Sequence, residues 1–367
     1  MSHIIPVTVL TGAPTGLIEQ LAIRSITESP GTTHAIVSSK SRRKSRQPPK
    51  PSGWISTKPR LARWGEGCGC CTVRADVATR ARRLVEDKVN PQLLLALQLG
   101  EDLEPLLKTF TVADSDGCAL SDHAQVQRLV VVVSADNLQA RQGVRELYER
   151  IELAETIILV RKAKEEEDQG AADLIRALNP SASIQSVTES TLPTLDLTQA
   201  AQPFDLWTAR QRASQVPLAV TNTQTANGIQ RHVFRTSRPF HPKRLHDLLQ
   251  LKWTGVARVH GPFWVASRPE YAAMLQVNGD KKTTKMIGSW WAAVPIEDRP
   301  STRDFEQRTK NWHPEFGDRV QELSIVGSTS GVNFLRRHLE QALMVDDELS
   351  PEAWTSLDHP FPWPNQG

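Results

Sequence analysis

The chain lacks any apolar run approaching the roughly 18–20 residues needed to span a bilayer. Its opening, MSHIIPVTVL, has no basic flank, long apolar core or small-residue cleavage site of the kind a secretory signal carries. Cysteine is scarce: four in 367 residues, three of them bunched, which is not a disulfide framework. Strong charge bias is missing too, since 44 Lys and Arg face 41 Asp and Glu for a net charge of +3. No internal repeat is present. These absences argue against a helical membrane protein, a disulfide-stapled secreted scaffold and a solenoid, and the expectation is a protein of a reducing cytoplasm. The composition is that of an ordinary globular chain, with 39% hydrophobic and 23% charged residues, and the length predicts two domains.

The first 190 residues read as strands alternating with helices. Ile5–Leu10, His34–Ser38, Leu93–Leu97, Leu129–Val133 and Ile157–Val160 are short apolar runs, as strands buried on both faces should be. Leu17, Leu21 and Ile26 fall at helical spacing after the first run, and Val144, Leu147, Tyr148 and Ile151 form a second helical stripe. Val73, Val77, Ala81 and Leu84 mark a third helix. This alternation predicts an α/β domain over 1–190, a mostly parallel sheet with helices on both faces. A stretch rich in Thr, Gln and Ser reads as a linker over 191–228. A smaller α+β domain is expected over 229–360, with strands near 231–236, 255–260, 262–267 and 319–326 and helices near 241–250 and 331–343.

A strand, then Thr11-Gly12, then a helix is where a phosphate-binding loop belongs. In the pattern G-x-x-x-x-G-K-[ST], glycines let backbone N–H groups wrap phosphates, Lys neutralises them and Ser or Thr holds magnesium. Counted from Gly12, those three positions hold Leu17, Ile18 and Glu19. Taken alone, the motif fails.

Two other stretches carry candidate chemistry. GEGCGCCTVRAD (65–76) places Cys68, Cys70 and Cys71 within four residues. Three thiolates suit a soft metal such as zinc or Cu(I); a redox switch and incidental free thiols are the alternatives. Cys118 reads as an isolated thiol, and His241, between prolines, as a helix-start residue. Residues 40–64 hold nine Lys or Arg, no Asp or Glu, and prolines 48, 49, 51 and 59. They read as an exposed loop, either a solvated linker or an RNA contact. In the second case Lys40, Arg42, Arg43, Lys44, Arg46 and Lys50 would meet phosphates, and Trp54 and Trp64 would stack on bases.

GCGCCTVRAD resembles the Gly-Cys-x-Cys-Cys-Thr-Val-Arg-x-Asp element of the CobW family of P-loop GTPases and zinc metallochaperones. PVTVLTG near the start and GPFWVASRP, GSWWAAVP, FGDRVQEL and VDDELSPEAW in the second half are similar to that family as well. The resemblance implies a P-loop-GTPase-like domain followed by a CobW C-terminal domain, zinc on Cys68, Cys70 and Cys71, and a client protein that receives the metal. Its nucleotide elements depart from the pattern. Gln98 stands for a Glu and Ser134 for the magnesium-linked Asp. The guanine-reading Asn-Lys-x-Asp has become Arg161-Lys162-Ala163-Lys164. Gly12 and Lys162 are left as remnants of a nucleotide site, no catalytic residue is assigned, and GTP with Mg2+ is doubtful. The many-histidine loop of other members is reduced to His232. This pattern resembles a degenerate actinobacterial branch that includes a factor recruiting a hibernation protein to ribosomes under zinc limitation. That likeness implies a ribosome with its hibernation factor as a further candidate partner, with rRNA meeting the basic loop.

Overall fold

The computed structural model describes residues 4–28, 33–38, 54–57, 92–98, 103–110, 121, 123–139, 144–161, 169–192, 203–206, 208–210, 223–224, 227–299, 305, 312–350, 354 and 356–363. The chain divides into two compact units, Met1–Ala213 and Ser214–Gly367.

The first unit runs β1 (Ile5–Ala13), α1 (Thr15–Glu28), β2 (Thr33–Ser38), β3 (Trp54–Thr57), β4 (Gln92–Gln98), α2 (Leu103–Thr109), β5 (Ala124–Ser134) and α3 (Ala135–Gln139). It continues through α4 (Val144–Leu153), β6 (Thr156–Arg161), α5 (Gln169–Leu178) and β7 (Ser183–Thr188). Its seven strands lie in the order β3-β2-β4-β1-β5-β6-β7, and every pairing is parallel. The continuous apolar runs explain this, because a strand with helices on both faces has no solvent side to alternate toward. On β4, Leu93, Leu95 and Leu97 pack with Val7, Val9 and the α2 leucines 103, 106 and 107. Leu94 and Ala96 turn the other way, onto Leu17, Ile18 and Leu21 of α1.

Three sequence expectations change here. Residues 54–57, read as part of the basic loop, form β3; Trp, Ile and Thr favour a pleated strand, and Ala35 of β2 pairs with Trp54. Residues 183–188, inside the expected first domain but read as neither strand nor helix, form β7 beside β6. Within the stretch read as a linker, Phe204 donates its N–H to the Val126 carbonyl at 2.8 Å, and Phe204 and Leu206 pack on the first core. Phe204 and Leu206 thus belong to the packing of the first unit. The helix expected over Val73–Leu84 lies outside the described residues.

The second unit holds β8 (Thr223–Gln224), β9 (Ile229–Thr236), α6 (Pro242–Gln250), β10 (Val256–Phe263), β11 (Tyr271–Asn278), β12 (Lys281–Ser289), β13 (Gln321–Ser328) and α7 (Thr329–Ala342). The strands form one antiparallel sheet in the order β12-β11-β10-β13-β9-β8. Its core joins Phe234, Val259, Phe263, Leu275, Leu323 and Ile325 to Leu245 and Leu248 of α6 and Leu335 and Leu339 of α7. In place of the two strands expected at 255–260 and 262–267 there is one, β10, which ends at Phe263. At Gly261, with φ +157°, the backbone passes so close to β13 that a Cβ would stand 1.9 Å from the Glu322 carbonyl oxygen. The β11–β12 hairpin, turning at Gly279 with φ +57°, was not foreseen from the sequence.

Candidate functional site

In an open α/β sheet, ligands bind outside the carboxyl ends of the strands, where connections diverge to opposite sides. Here the chain leaves β1 toward β2 and leaves β5 toward β6, so the divergence falls between β1 and β5. A cleft of about 290 Å³ lies at that end, lined by Pro14, Ser134, Asp136, Asn137, Arg161 and Glu189 among others.

Gly12 precedes the cleft-lining Pro14 by two residues, with φ +130°. A Cβ on it would stand 1.8 Å from the Val132 carbonyl oxygen of β5, so the glycine is required by strand packing whether or not a ligand is bound. Only Pro14 separates the last residue of β1 from the first of α1. The Leu17 N–H donates back to the Pro14 carbonyl at 3.1 Å. Leu17 and Ile18, which hold the glycine and lysine positions of the phosphate pattern, are 4% and 1% exposed. They are packed among Leu10, Leu94, Val130 and Ile158, and Glu19 is half-buried.

The other strand ends are likewise engaged within the protein. Ser134, in the place of a magnesium-linked Asp, donates from Oγ to Asn137 Oδ1 at 2.5 Å and accepts the Asn137 N–H at 3.4 Å. That is a capping arrangement for the short helix α3. Arg161 ends β6, and its Nε is buried without a hydrogen-bond partner among the described residues. One buried cation escaped the sequence reading. Arg150 of α4, 2% exposed, donates to Thr11 Oγ1, and Thr11 in turn donates to the Leu97 carbonyl at 3.0 Å. The signal was available, because Arg150 lies three residues after Leu147 and directly before Ile151, on the apolar stripe of its helix.

Of the residues expected to bind nucleotide or metal, Gly12 alone is among the described residues, and it does not line the cleft. Lys162, Cys68, Cys70, Cys71, Cys118 and the cations 40, 42, 43, 44, 46 and 50 lie outside the described residues. His232 is on β9 opposite Ile325. Burial, followed by the Arg336 charge, lowers its pKa, with Glu340 opposing. His241 is the N-cap of α6, its Nδ1 accepting the Arg244 N–H at 3.4 Å, as a helix-start residue should. Of the tryptophans in the second half, Trp253, Trp264, Trp290, Trp354 and Trp363 are buried, which makes them core, whereas Trp312 is 38% exposed.

A parallel sheet with its cleft at the carboxyl ends, followed by a separate antiparallel α+β unit, defines a two-domain α/β protein. Residues 52–186 match the family model described as CobW/HypB/UreG, nucleotide-binding domain. Residues 229–343 match the cobalamin synthesis protein cobW C-terminal domain. The chain is a member of the CobW family. It is 26% identical over 333 residues to zinc-regulated GTPase metalloprotein activator 1 of Dictyostelium discoideum, covering 80% of this chain and 69% of that one. It is 33% identical over 132 residues to a zinc chaperone of Mycobacterium tuberculosis, a match spanning 35% of this chain and 33% of that protein. The crystal structure of the Zn(II)-bound YjiA GTPase from E. coli aligns with 93% of this chain and 99% of its own, at a TM-score of 0.40 and 12% identity.

Proposed function

We propose that this chain is a zinc-binding member of its family, acting in zinc homeostasis through Cys68, Cys70 and Cys71, and that its nucleotide site has lost GTP turnover. The observation that carries the second half is the burial of Leu17 and Ile18 directly after a one-residue turn. A phosphate cradle needs several free backbone N–H groups and a lysine ammonium above them. Here an apolar side chain occupies the lysine position inside the core, and the Leu17 N–H is already used by Pro14. Ser134 is engaged in starting a helix, and Lys164, in the place of the guanine-reading Asp, offers only donors where that edge needs an acceptor. These residues do not fit GTP with Mg2+.

Zinc on the three thiolates is the cargo in this reading. Thiolates near 2.3 Å suit tetrahedral zinc, and three protein ligands leave a fourth position open for transfer to a client. The similarity to the Dictyostelium zinc-regulated GTPase metalloprotein activator and to the mycobacterial zinc chaperone supports the same reading. Titration of the purified chain with GTP and Mg2+ should give no binding signal, and micromolar affinity would overturn the lost-turnover proposal. The triple variant Cys68→Ser, Cys70→Ser, Cys71→Ser should lose stoichiometric zinc. Zinc retained by that variant would mean that other ligands hold it.

A second reading, recruitment of a hibernation factor to ribosomes under zinc limitation, is favoured by the nine cations and absent acids of residues 40–64. Such a segment would neutralise RNA phosphates with salt-sensitive affinity. Co-sedimentation with ribosomes across a salt series, with and without residues 40–50, separates this reading from a pure metal carrier.

A further inference from the structure

We propose that β12 is a docking edge for an acidic, extended segment of a partner protein, which joins the second sheet as a further strand. β12 is nine residues long, contains no proline, and pairs with β11 alone among the described residues. Among the described residues, nothing pairs with the backbone donors and acceptors of its outer edge, the arrangement that strand addition uses.

The chemistry of this edge selects the occupant. Lys281, Lys282 and Lys285 face a single carboxylate, Asp280, across residues 279–289. Lys281 and Lys285 are exposed and lie on one face of the sheet, opposite Asn278 and Met274. Lys282 is on the other face, opposite Val277. There it borders a cleft of about 300 Å³ that also includes Leu251, Lys252 and Trp253. Its Nζ donates to the Leu251 carbonyl at 2.6 Å and stands 4.9 Å from the Trp253 ring.

A strand laid along β12 sends alternate side chains to the two faces. Carboxylates on one face would meet Lys281 and Lys285, and a side chain on the other would enter the cleft beside Lys282 and Lys252. A second copy of β12 is a poor occupant, because lysine would oppose lysine. Lysines on an edge also deter self-association, so selectivity for acidic strands and rejection of like strands follow from the same three residues. The proposal is independent of the zinc and nucleotide readings.

The test uses the full-length chain and a fluorescein-labelled peptide alternating glutamate and valine, followed by anisotropy and by hydrogen exchange. Binding should slow exchange in residues 281–289 and weaken with added salt. The charge reversal Lys281→Glu with Lys285→Glu, at two exposed positions, should raise Kd about tenfold. A peptide of the same composition with alternating D-residues cannot form a strand and should bind at least about tenfold more weakly. Equal binding of the D-residue peptide would reduce the effect to bulk charge and overturn strand addition. Absent binding, protection located elsewhere, or concentration-dependent dimerisation through residues 281–289 would each overturn it as well.

Discussion

Each unit contains a junction at which a central strand runs almost directly into a helix. β1 enters α1 through Pro14 alone, and β13 enters α7 with no residue between them. At the second junction Ser328 Oγ accepts the Gly331 N–H at 3.2 Å, and the Thr329 N–H goes to the Gly228 carbonyl at 2.9 Å. Gly331 packs on the Gly255 backbone so closely that a Cβ would stand 2.6 Å from the Gly255 carbonyl carbon. At the first junction proline has no N–H to offer, and the Leu17 N–H is turned back on Pro14. Only the first junction looks like a phosphate loop in sequence, yet both use their local donors and space for packing. A helix N-terminus attracts anions through free N–H groups, so what decides is where those groups go, not the motif around them.

The largest effect expected at the first junction comes from restoring the residue that a phosphate site would use. Ile18→Lys places an ammonium in a position that is 1% exposed and lined by aliphatic side chains. The unpaired buried charge should cost on the order of 4 kcal/mol in urea unfolding, and the variant should gain no affinity for GTP. A variant that stayed stable and bound GTP would mean that the junction opens readily, and the comparison with β13–α7 would fail. Gly12→Ala comes next. Its Cβ would strike the Val132 carbonyl at a φ that L-residues avoid, for a loss of about 3 kcal/mol. A near-neutral result would mean that β1 and β5 are not held at the observed spacing.

The same comparison shows what could be read in advance. The parallel sheet was legible because Leu93–Leu97 and Val130–Val133 are unbroken apolar runs, a pattern set by burial on both faces. β12 was not, since Lys281-Lys282-Thr283-Thr284-Lys285 carries no apolar alternation. As an edge strand it is held by pairing to β11 and needs little burial of its own. At the first junction, the absence of Lys and of Ser or Thr at positions 18 and 19 was visible in the sequence, but the burial of Leu17 and Ile18 and the Arg150–Thr11 contact follow only from the fold. A side chain that changes from ligand-facing to core does so through backbone direction, which no spacing rule reports.

A smaller effect should separate the two units by pH. His359 Nδ1 lies 2.9 Å from Ser267 Oγ in the second unit, and burial, helped by the Arg268 charge, lowers the ring's pKa to about 4. The unfolded chain would bind this proton near pH 6.5, so it binds more protons than the folded chain between about pH 6.5 and pH 4. Stability therefore falls as pH drops through that window and is unaffected above it. Because the ring is partly screened by solvent, the loss should be about 1 kcal/mol, well below the full shift. Seven of the ten tryptophans lie in the second unit, so their fluorescence follows its unfolding. His359→Asn should flatten the dependence, and an unchanged slope would assign the window to another group.

Gly16→Ala is expected to have the smallest effect and the opposite sign. Gly16 is exposed in the first turn of α1, and an added Cβ meets nothing within 4 Å. Alanine there removes backbone freedom from the unfolded chain, for a gain of about 0.5 kcal/mol. Gly16 stands one residue before the second glycine position of the phosphate pattern, and in a working loop a glycine that lets backbone approach the ligand would resist substitution. If the turn is only a packed junction, Gly12 must be kept because Val132 is beside it, whereas Gly16 is dispensable. Thermal unfolding of the two alanine variants side by side measures that asymmetry. Destabilisation by Gly16→Ala comparable to that of Gly12→Ala would show that the turn retains a demand on its backbone that strand packing does not explain.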